Sequence, residues 1–264
     1  MNTPGKKFRQ ALVDNNPLMI VGAINAYCAK MAEKAGHKAL YLSGAGVANA
    51  SFGLPDLAIT TLNDVAEDSR RITQATNLPL LIDIDTGFGG AFSISRTIKE
   101  MIAADVAAVH IEDQVTQKRC GHRPNKSLVD KIEMNDRIKA AVDGRTDDSF
   151  FIMARTDSYA SEGMEGAIDR CNEYIAAGAD GLFLEAVSNL EDYKQLKDAL
   201  HVPLLANITE FGKTPLFTAQ ELASVGVDIM LFPLSAFRAM NKAAESVYKD
   251  IAEHGSQSNS IEKM

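Results

Sequence analysis

The chain has 264 residues, 46% of them hydrophobic and 23% charged, so it can bury roughly 70–75% of the surface its unfolded form exposes, which excludes disorder for its bulk. Its 27 Lys and Arg stand against 35 Asp and Glu, a formal net charge of −8. With no basic block in that balance, nucleic acid is not expected as a partner, although a local Arg cluster could still take an anionic small molecule.

Short apolar runs alternate with longer amphipathic stretches along the whole chain. Strands are expected over residues 18–24, 39–43, 79–85, 107–113, 150–157, 181–186, 203–208 and 229–233. Each is followed by a helix, over 27–35, 62–76, 94–104, 132–142, 164–177, 190–200, 219–225 and 236–253 in turn. Runs such as LPLLIDID and FFIMARTD are continuous rather than alternating, as parallel strands covered on both faces require. Gly-containing turns such as AGHKAL and AGADGL end a helix and feed the next strand. Eight strand–helix units in a chain of this length predict one (β/α)₈ TIM barrel over residues 1–264. A doubly wound sheet would carry a Gly-rich phosphate loop after its first strand, and GAINAY is not one. The tail GSQSNSIEKM reads as frayed.

No apolar run reaches the ~18 residues of a membrane span, and MNTPGKKFRQALVDNN has charges where a signal peptide needs an apolar core. Cys28, Cys120 and Cys171 are far apart and form no CxxC pair. Reduced thiols in the cytoplasm are therefore expected.

Seven strands end in polar residues, at the end of a barrel where chemistry sits. Asp83 and Asp85 lie at i and i+2 on the third strand, which predicts that both point to one face. Two such carboxylates tolerate each other around a hard cation such as Mg²⁺, and Glu112 could extend the shell through water. Helix capping or pairing with Arg are the alternatives. Cys120 lies in KRCGHR among Lys118, Arg119, His122 and Arg123. Its thiol could be a nucleophile, a general acid or base, or an inert residue. Cys28 and Cys171 fall in helix patterns and read as inert. Arg155 and Arg238 follow strands and offer forks to carboxylates or phosphates, unless salt bridges with Asp157 or Glu185 occupy them. The turn Ser43-Gly44-Ala45 could present backbone N–H groups to an oxyanion. Asn207 and Thr209 add neutral hydrogen-bonding groups.

KRCGHRPNK, together with SGAG, GLPD, DIDTGFG, HIEDQ, MARTD, ANITEFG and PLSAFRAMN, closely resembles the methylisocitrate branch of the isocitrate lyase and phosphoenolpyruvate mutase superfamily. The resemblance runs over about residues 5–248. The KxCGH core is shared with isocitrate lyases, whereas the Arg-Pro-Asn-Lys continuation and the chain length are like the methylisocitrate branch. What the resemblance implies is Mg²⁺-dependent cleavage of 2-methylisocitrate to pyruvate and succinate, a step of the methylcitrate cycle in propionate catabolism, by a cytoplasmic homotetramer. It implies metal positions at Asp83 and Asp85 and a catalytic thiol at Cys120. Substrate-binding positions carry over to Ser43, Gly44, Ala45, Cys120, Gly121, Arg155, Glu185, Asn207, Ile208, Thr209 and Arg238. Asp56 in GLPD matches an active-site carboxylate. Cys120 is then expected to give a proton to the departing succinate carbanion, with Lys118, Arg119 and His122 setting its proton affinity.

Isocitrate or dimethylmalate cleavage is the alternative within the same superfamily, and the Cys120 loop speaks against the decarboxylases. A catalytically silent barrel serving as a binding subunit is a third reading. The family turn reads Ser-Gly-Gly where this chain has Ala45, and relatives continue past Met264 with a helical segment that brings a further Arg. Expected consequences are oligomerisation through the barrel helices, a more open rim and a mobile loop over residues 115–126.

Overall fold

A computed structural model describes residues 2–121 and 125–264. Eight strands close into a barrel in chain order: β1 (Leu18–Gly22), β2 (Ala39–Leu42), β3 (Leu80–Asp83), β4 (Ala108–Glu112), β5 (Phe151–Thr156), β6 (Gly181–Leu184), β7 (Leu204–Asn207) and β8 (Ile229–Phe232). Every pairing is parallel, and β1 closes on β8 with Ile20 beside Leu231. All eight expected strands are present, each shorter than expected because the polar ends leave the ladder to build loops.

Alternate strand residues feed two apolar layers. Leu18, Ile20, Tyr41, Leu81, Phe151, Met153, Phe183 and Leu231 fill the barrel interior. Leu40, Ile82, Val109, Ile152, Leu182 and Leu204 face outward under the helices. Burying both faces explains the unbroken apolar runs.

Ten α-helices surround the barrel among the described residues. Eight follow the expected positions: α2 (Ala26–Lys34), α4 (Leu62–Thr73), α5 (Ala91–Ala103), α6 (Lys131–Gly144), α7 (Tyr159–Ala176), α8 (Leu190–Ala199), α9 (Ala219–Ser224) and α10 (Ser235–His254). Two were not expected. Helix α1 (Pro4–Asp14) starts with Thr3 as cap and Pro at its first position, and plugs the barrel bottom with Phe8, whose ring lies 5.2 Å from Phe151. Helix α3 (Gly44–Phe52) follows β2 directly. Its small, Gly-rich sequence GAGVANASF reads as a loop, yet burial of Val47 and Ala48 holds it helical. The tail is not frayed: residues Ser258–Lys263 form a 3₁₀ helix, and Ser260 donates to Asp250 at 2.8 Å. No helix is long and apolar enough to cross a membrane among the described residues.

Candidate active site

All eight strands point their C-terminal ends at one side of the barrel, and a cavity of about 490 Å³ opens there. Tyr41 and Ser43 line it from β2 and its end, Asp83 from β3, Cys120 and Gly121 from the loop after β4, and Arg155 from β5. Glu185 comes after β6, Asn207 and Thr209 from the end of β7, and Arg238 from α10.

Strand β3 ends at Asp83, so Asp85 is not a strand residue, and strand alternation is not what brings the pair together. Asp85 sits in a left-handed turn with φ of 49°, and its N–H donates to Asp83 Oδ1 at 3.0 Å. Both carboxylates then converge on the start of α3. Gly44 N–H donates to Asp83 Oδ2 at 3.3 Å. A Cβ on Gly44 would stand 3.2 Å from Asp83 Oδ2 and 3.3 Å from Asp85 Oδ1, a tight contact that would press on both carboxylates.

The cation beside this acidic pair is Lys118. Its Nζ lies 2.8 Å from Asp85 Oδ1 and is paired with Asp56. This corrects its expected role: the ammonium is buried among carboxylates, not aimed at the Cys120 thiol. Arg119 is exposed, and His122 and Arg123 lie outside the described residues. Asp56, whose part in the site the sequence leaves open, is thus an anchor for Lys118.

Electrostatics separates the two aspartates. Burial works against the Asp83 carboxylate, but His110, Lys118 and Arg155 outweigh it and hold the group well below the usual range. Burial and the neighbouring Asp83 push Asp85 up, to about 7, despite Lys118. Burial also pulls the His110 imidazole down to about 4, so its charge supports Asp83 only below that pH, and near neutrality Lys118 and Arg155 do so. His110 Nε2 instead bonds the Tyr41 hydroxyl at 2.8 Å. Glu112, fully buried, is pushed well above the carboxylate range by desolvation. It leans on Arg155 Nε at 3.3 Å rather than on the aspartates.

Two buried carboxylates with an excess of negative charge and only oxygen donors suit a hard dication. Among the described residues no group of three or more His, Cys, Asp or Glu forms a complete cage. Asp83 and Asp85, with water completing the shell, are the donor set that fits Mg²⁺.

Arg155 faces three carboxylates: Asp157 at 3.0 Å, Glu185 at 3.2 Å and Glu112 at 3.3 Å. Arg238 is more open, bonding Thr209 Oγ1 at 2.9 Å and pairing with Glu210 beside the mouth. Asn207 Nδ2 donates to Glu185 Oε1 at 3.3 Å. Gly121 lies directly over this group, and a Cβ on it would stand 2.3 Å from Arg155 Nη2. Cys120 is half-buried, whereas Cys28 and Cys171 are buried away from the cavity, as their helix patterns suggest. Ile208 departs from its expected place: its side chain joins the outer apolar layer, while Asn207 and Thr209 on either side reach the cavity.

The described residues of the 115–126 loop make several contacts with its surroundings. Gln114 pairs with Leu128, Val115 N–H donates to Ser127 O at 2.9 Å, and Gln114 and Lys126 bond the backbone beside Cys120. Sequence reasoning missed Gln114, Lys126 and Tyr41 altogether. Asp157 carried a readable signal, since it lies two residues past Arg155 at the end of an apolar strand.

Fold and cavity together are those of a (β/α)₈-barrel enzyme with its polar cavity at the C-terminal face of the strands. The chain belongs to the phosphoenolpyruvate phosphomutase family, whose model matches residues 8–252. It is 60% identical to a protein of Vibrio cholerae serotype O1 named 2-methylisocitrate lyase, across 99% of this chain and 87% of that one. Among solved structures it superposes on 2,3-dimethylmalate lyase with a TM-score of 0.92 at 35% identity, covering 98% of this chain and 87% of that one. It also superposes on phosphonopyruvate hydrolase complexed with oxalate and Mg²⁺, with a TM-score of 0.87 at 27% identity, covering 99% and 91%.

Proposed function

We propose that this protein cleaves 2-methylisocitrate to pyruvate and succinate. The observation that carries the proposal is the placement of the Cys120–Gly121 turn and the Arg155 and Arg238 forks around one cavity that Asp83 also lines, with Asp85 bonded directly to Asp83. The 60% identity with a 2-methylisocitrate lyase, against 35% with a dimethylmalate lyase, favours this substrate over its neighbour.

In this reading Asp83 and Asp85 hold Mg²⁺, which supplies Lewis acidity to oxygens of the bound hydroxy acid. The Arg238 guanidinium at the mouth binds a substrate carboxylate, with Ser43, Ala45, Asn207 and Thr209 offering neutral contacts. Arg155 and Glu185 support the underside of the Cys120 loop. The substrate hydroxyl gives its proton to solvent water, and the carbon–carbon bond breaks with its electron pair staying on the succinate fragment. Cys120 donates a proton to that carbanion and forms no covalent bond, and the thiolate later regains a proton from solvent. Asp56 holds Lys118 against the acidic pair, which keeps the loop closed over the reacting atoms.

We also assign a homotetramer. Helix α10 is amphipathic over 20 residues yet has no fully buried side chain, and Tyr248 and Ile251 remain exposed on it, as a surface meant for another subunit would be. A thiol that must stay reduced suits the cytoplasm.

The test is an assay of purified protein with 2-methylisocitrate and Mg²⁺ that follows pyruvate. Expected is Mg²⁺-dependent turnover that EDTA abolishes and that exceeds turnover of isocitrate and 2,3-dimethylmalate. Faster cleavage of either competitor, or activity indifferent to EDTA, overturns the assignment.

A further inference from the structure

One buried carboxylate is bonded, through two side chains, to the backbone on both sides of Cys120. Asp157, 2% exposed, follows β5 and accepts from Arg155 Nε at 3.0 Å, from Lys126 Nζ at 2.5 Å and from Gln114 Nε2 at 3.4 Å. Gln114 uses both ends of its amide on Arg119: Oε1 accepts from the Arg119 N–H at 3.0 Å, and Nε2 donates to the Arg119 carbonyl at 2.9 Å. Lys126 Nζ also donates to the Gly121 carbonyl at 2.7 Å. The residue before the thiol and the residue after it are thus each held by a side chain that Asp157 holds.

Asp157 is itself immobilised. Its N–H donates to Asp113 Oδ1 at 3.0 Å, and Asp113 Oδ2 accepts from Thr156 Oγ1 at 2.6 Å and from the Tyr174 hydroxyl at 2.9 Å. Arg137 donates to the Gln114 carbonyl at 2.8 Å, fixing the other anchor. A charge partner for Arg155 alone would need none of these arms. Low dielectric makes such bonds strong when every partner is present and costly when one is removed.

We infer that Asp157 is a positioning residue: through Gln114 and Lys126 it sets where the Cys120 thiol stands relative to Arg155. The inference rests on the proposed function only for its kinetic consequence, since the placement of the loop can be read without substrate. A reacting group displaced by about 1 Å can cost on the order of 10²-fold in rate.

Four variants separate positioning from charge balance: Gln114→Ala, Lys126→Met, Lys126→Arg and Asp157→Asn. The first readout is the rate at which iodoacetamide alkylates Cys120, followed by peptide mass spectrometry without substrate, with buried Cys28 and Cys171 as internal controls. The second is the split between kcat and KM. Gln114→Ala and Lys126→Met are expected to speed Cys120 alkylation severalfold and to lower kcat by about 10- to 100-fold with KM little changed. Lys126→Arg should restore most of both. Asp157→Asn should do the same to alkylation and to kcat as the first two variants, because both anchors of the loop lose their shared partner. If Asp157→Asn alkylates like the parent protein, or if Gln114→Ala and Lys126→Met both do, the inference fails. Should the protein not cleave 2-methylisocitrate at all, the alkylation rates still decide the matter, so the two failures are distinguishable.

Discussion

At Gly121 the absence of a side chain is a geometric requirement. Adding a Cβ would put it 2.3 Å from Arg155 Nη2 and 2.6 Å from Glu185 Oε2, and both of those groups are buried and bonded. Gly121→Ala is therefore expected to lift the Cys120 turn rather than to unfold the barrel. Activity should drop by roughly 10²-fold while the melting temperature moves by no more than a few degrees, compared by assay and thermal melt. Cys120→Ser keeps the size of the group but makes it a far weaker acid. Turnover should fall by about 10²–10⁴, the usual worth of general acid catalysis, with folding unchanged. A substrate–Cys120 adduct found by mass spectrometry would contradict the proton-donor role. Beside Asp83, Asp85→Asn replaces one of the two carboxylates proposed to hold Mg²⁺. Mn²⁺ binding, followed by electron paramagnetic resonance as a probe of the Mg²⁺ position, should weaken by at least tenfold, since a hard ion prefers a carboxylate to an amide.

Among the elements, α1 and α3 show how local and tertiary effects divide. Helix α1 carries a readable start in Thr3-Pro4, and its single fully buried apolar side chain is Phe8. That side chain closes the barrel at the end opposite the site, with Arg9 over the Phe151 ring at 5.1 Å and bonded to Asp180 at 2.8 Å. Phe8→Ala should cost about 3–5 kcal/mol of stability in urea unfolding. Its kcat at 25 °C should match the parent, because the cavity at the other end is untouched. Equal unfolding midpoints would show that the plug is dispensable. Helix α3 does the opposite work. It starts one residue after β2 and turns its first amide toward Asp83, which a loop of the same length would not do.

For the molecule as a whole, the buried charge network sets an acid limit. Burial alone would raise Asp157, but Arg155 and then Lys126 outweigh it and hold the carboxyl low. The hydrogen bond from Arg170 is the main cause of the same depression at Glu162. A carboxyl held low in the fold contributes stability that is present above its unfolded pKa of about 4 and is lost as pH falls through the folded value. Asp113, raised by burial, acts with the opposite sign and takes stability away as pH rises through its own value. Urea midpoints measured from pH 6 downward should therefore fall as the solution becomes acidic, below about pH 4. The fall should be shallower in Asp157→Asn, which has no such proton to take up. Parallel curves for the two proteins would remove Asp157 from the acid response.

The amino-acid sequence by itself determined the barrel and the end of it where the polar residues gather. Parallel strands buried on both faces must be continuously apolar, and eight such runs ending in polar residues leave one architecture. It also marked Asp83, Arg155, Asn207, Thr209 and Arg238 as polar groups at the ends of apolar runs and Cys120 by its charged, Gly-containing loop, whereas Glu185 entered the candidate site only through the resemblance. Only the tertiary structure decided what each of these touches. Asp85 meets Asp83 through a left-handed turn, not through strand alternation. Lys118 reaches back to Asp56, 62 residues earlier in the chain, instead of serving Cys120 two residues away. Ile208 turns outward while its neighbours turn in. Gln114 and Lys126, unremarkable in a polar loop, meet at Asp157 only because β4 and β5 lie side by side. Periodicity and local preference act over a few residues and are written in the sequence. Which buried charges neutralise one another depends on chain closure over tens of residues, and desolvation selects those partners only once the barrel has formed.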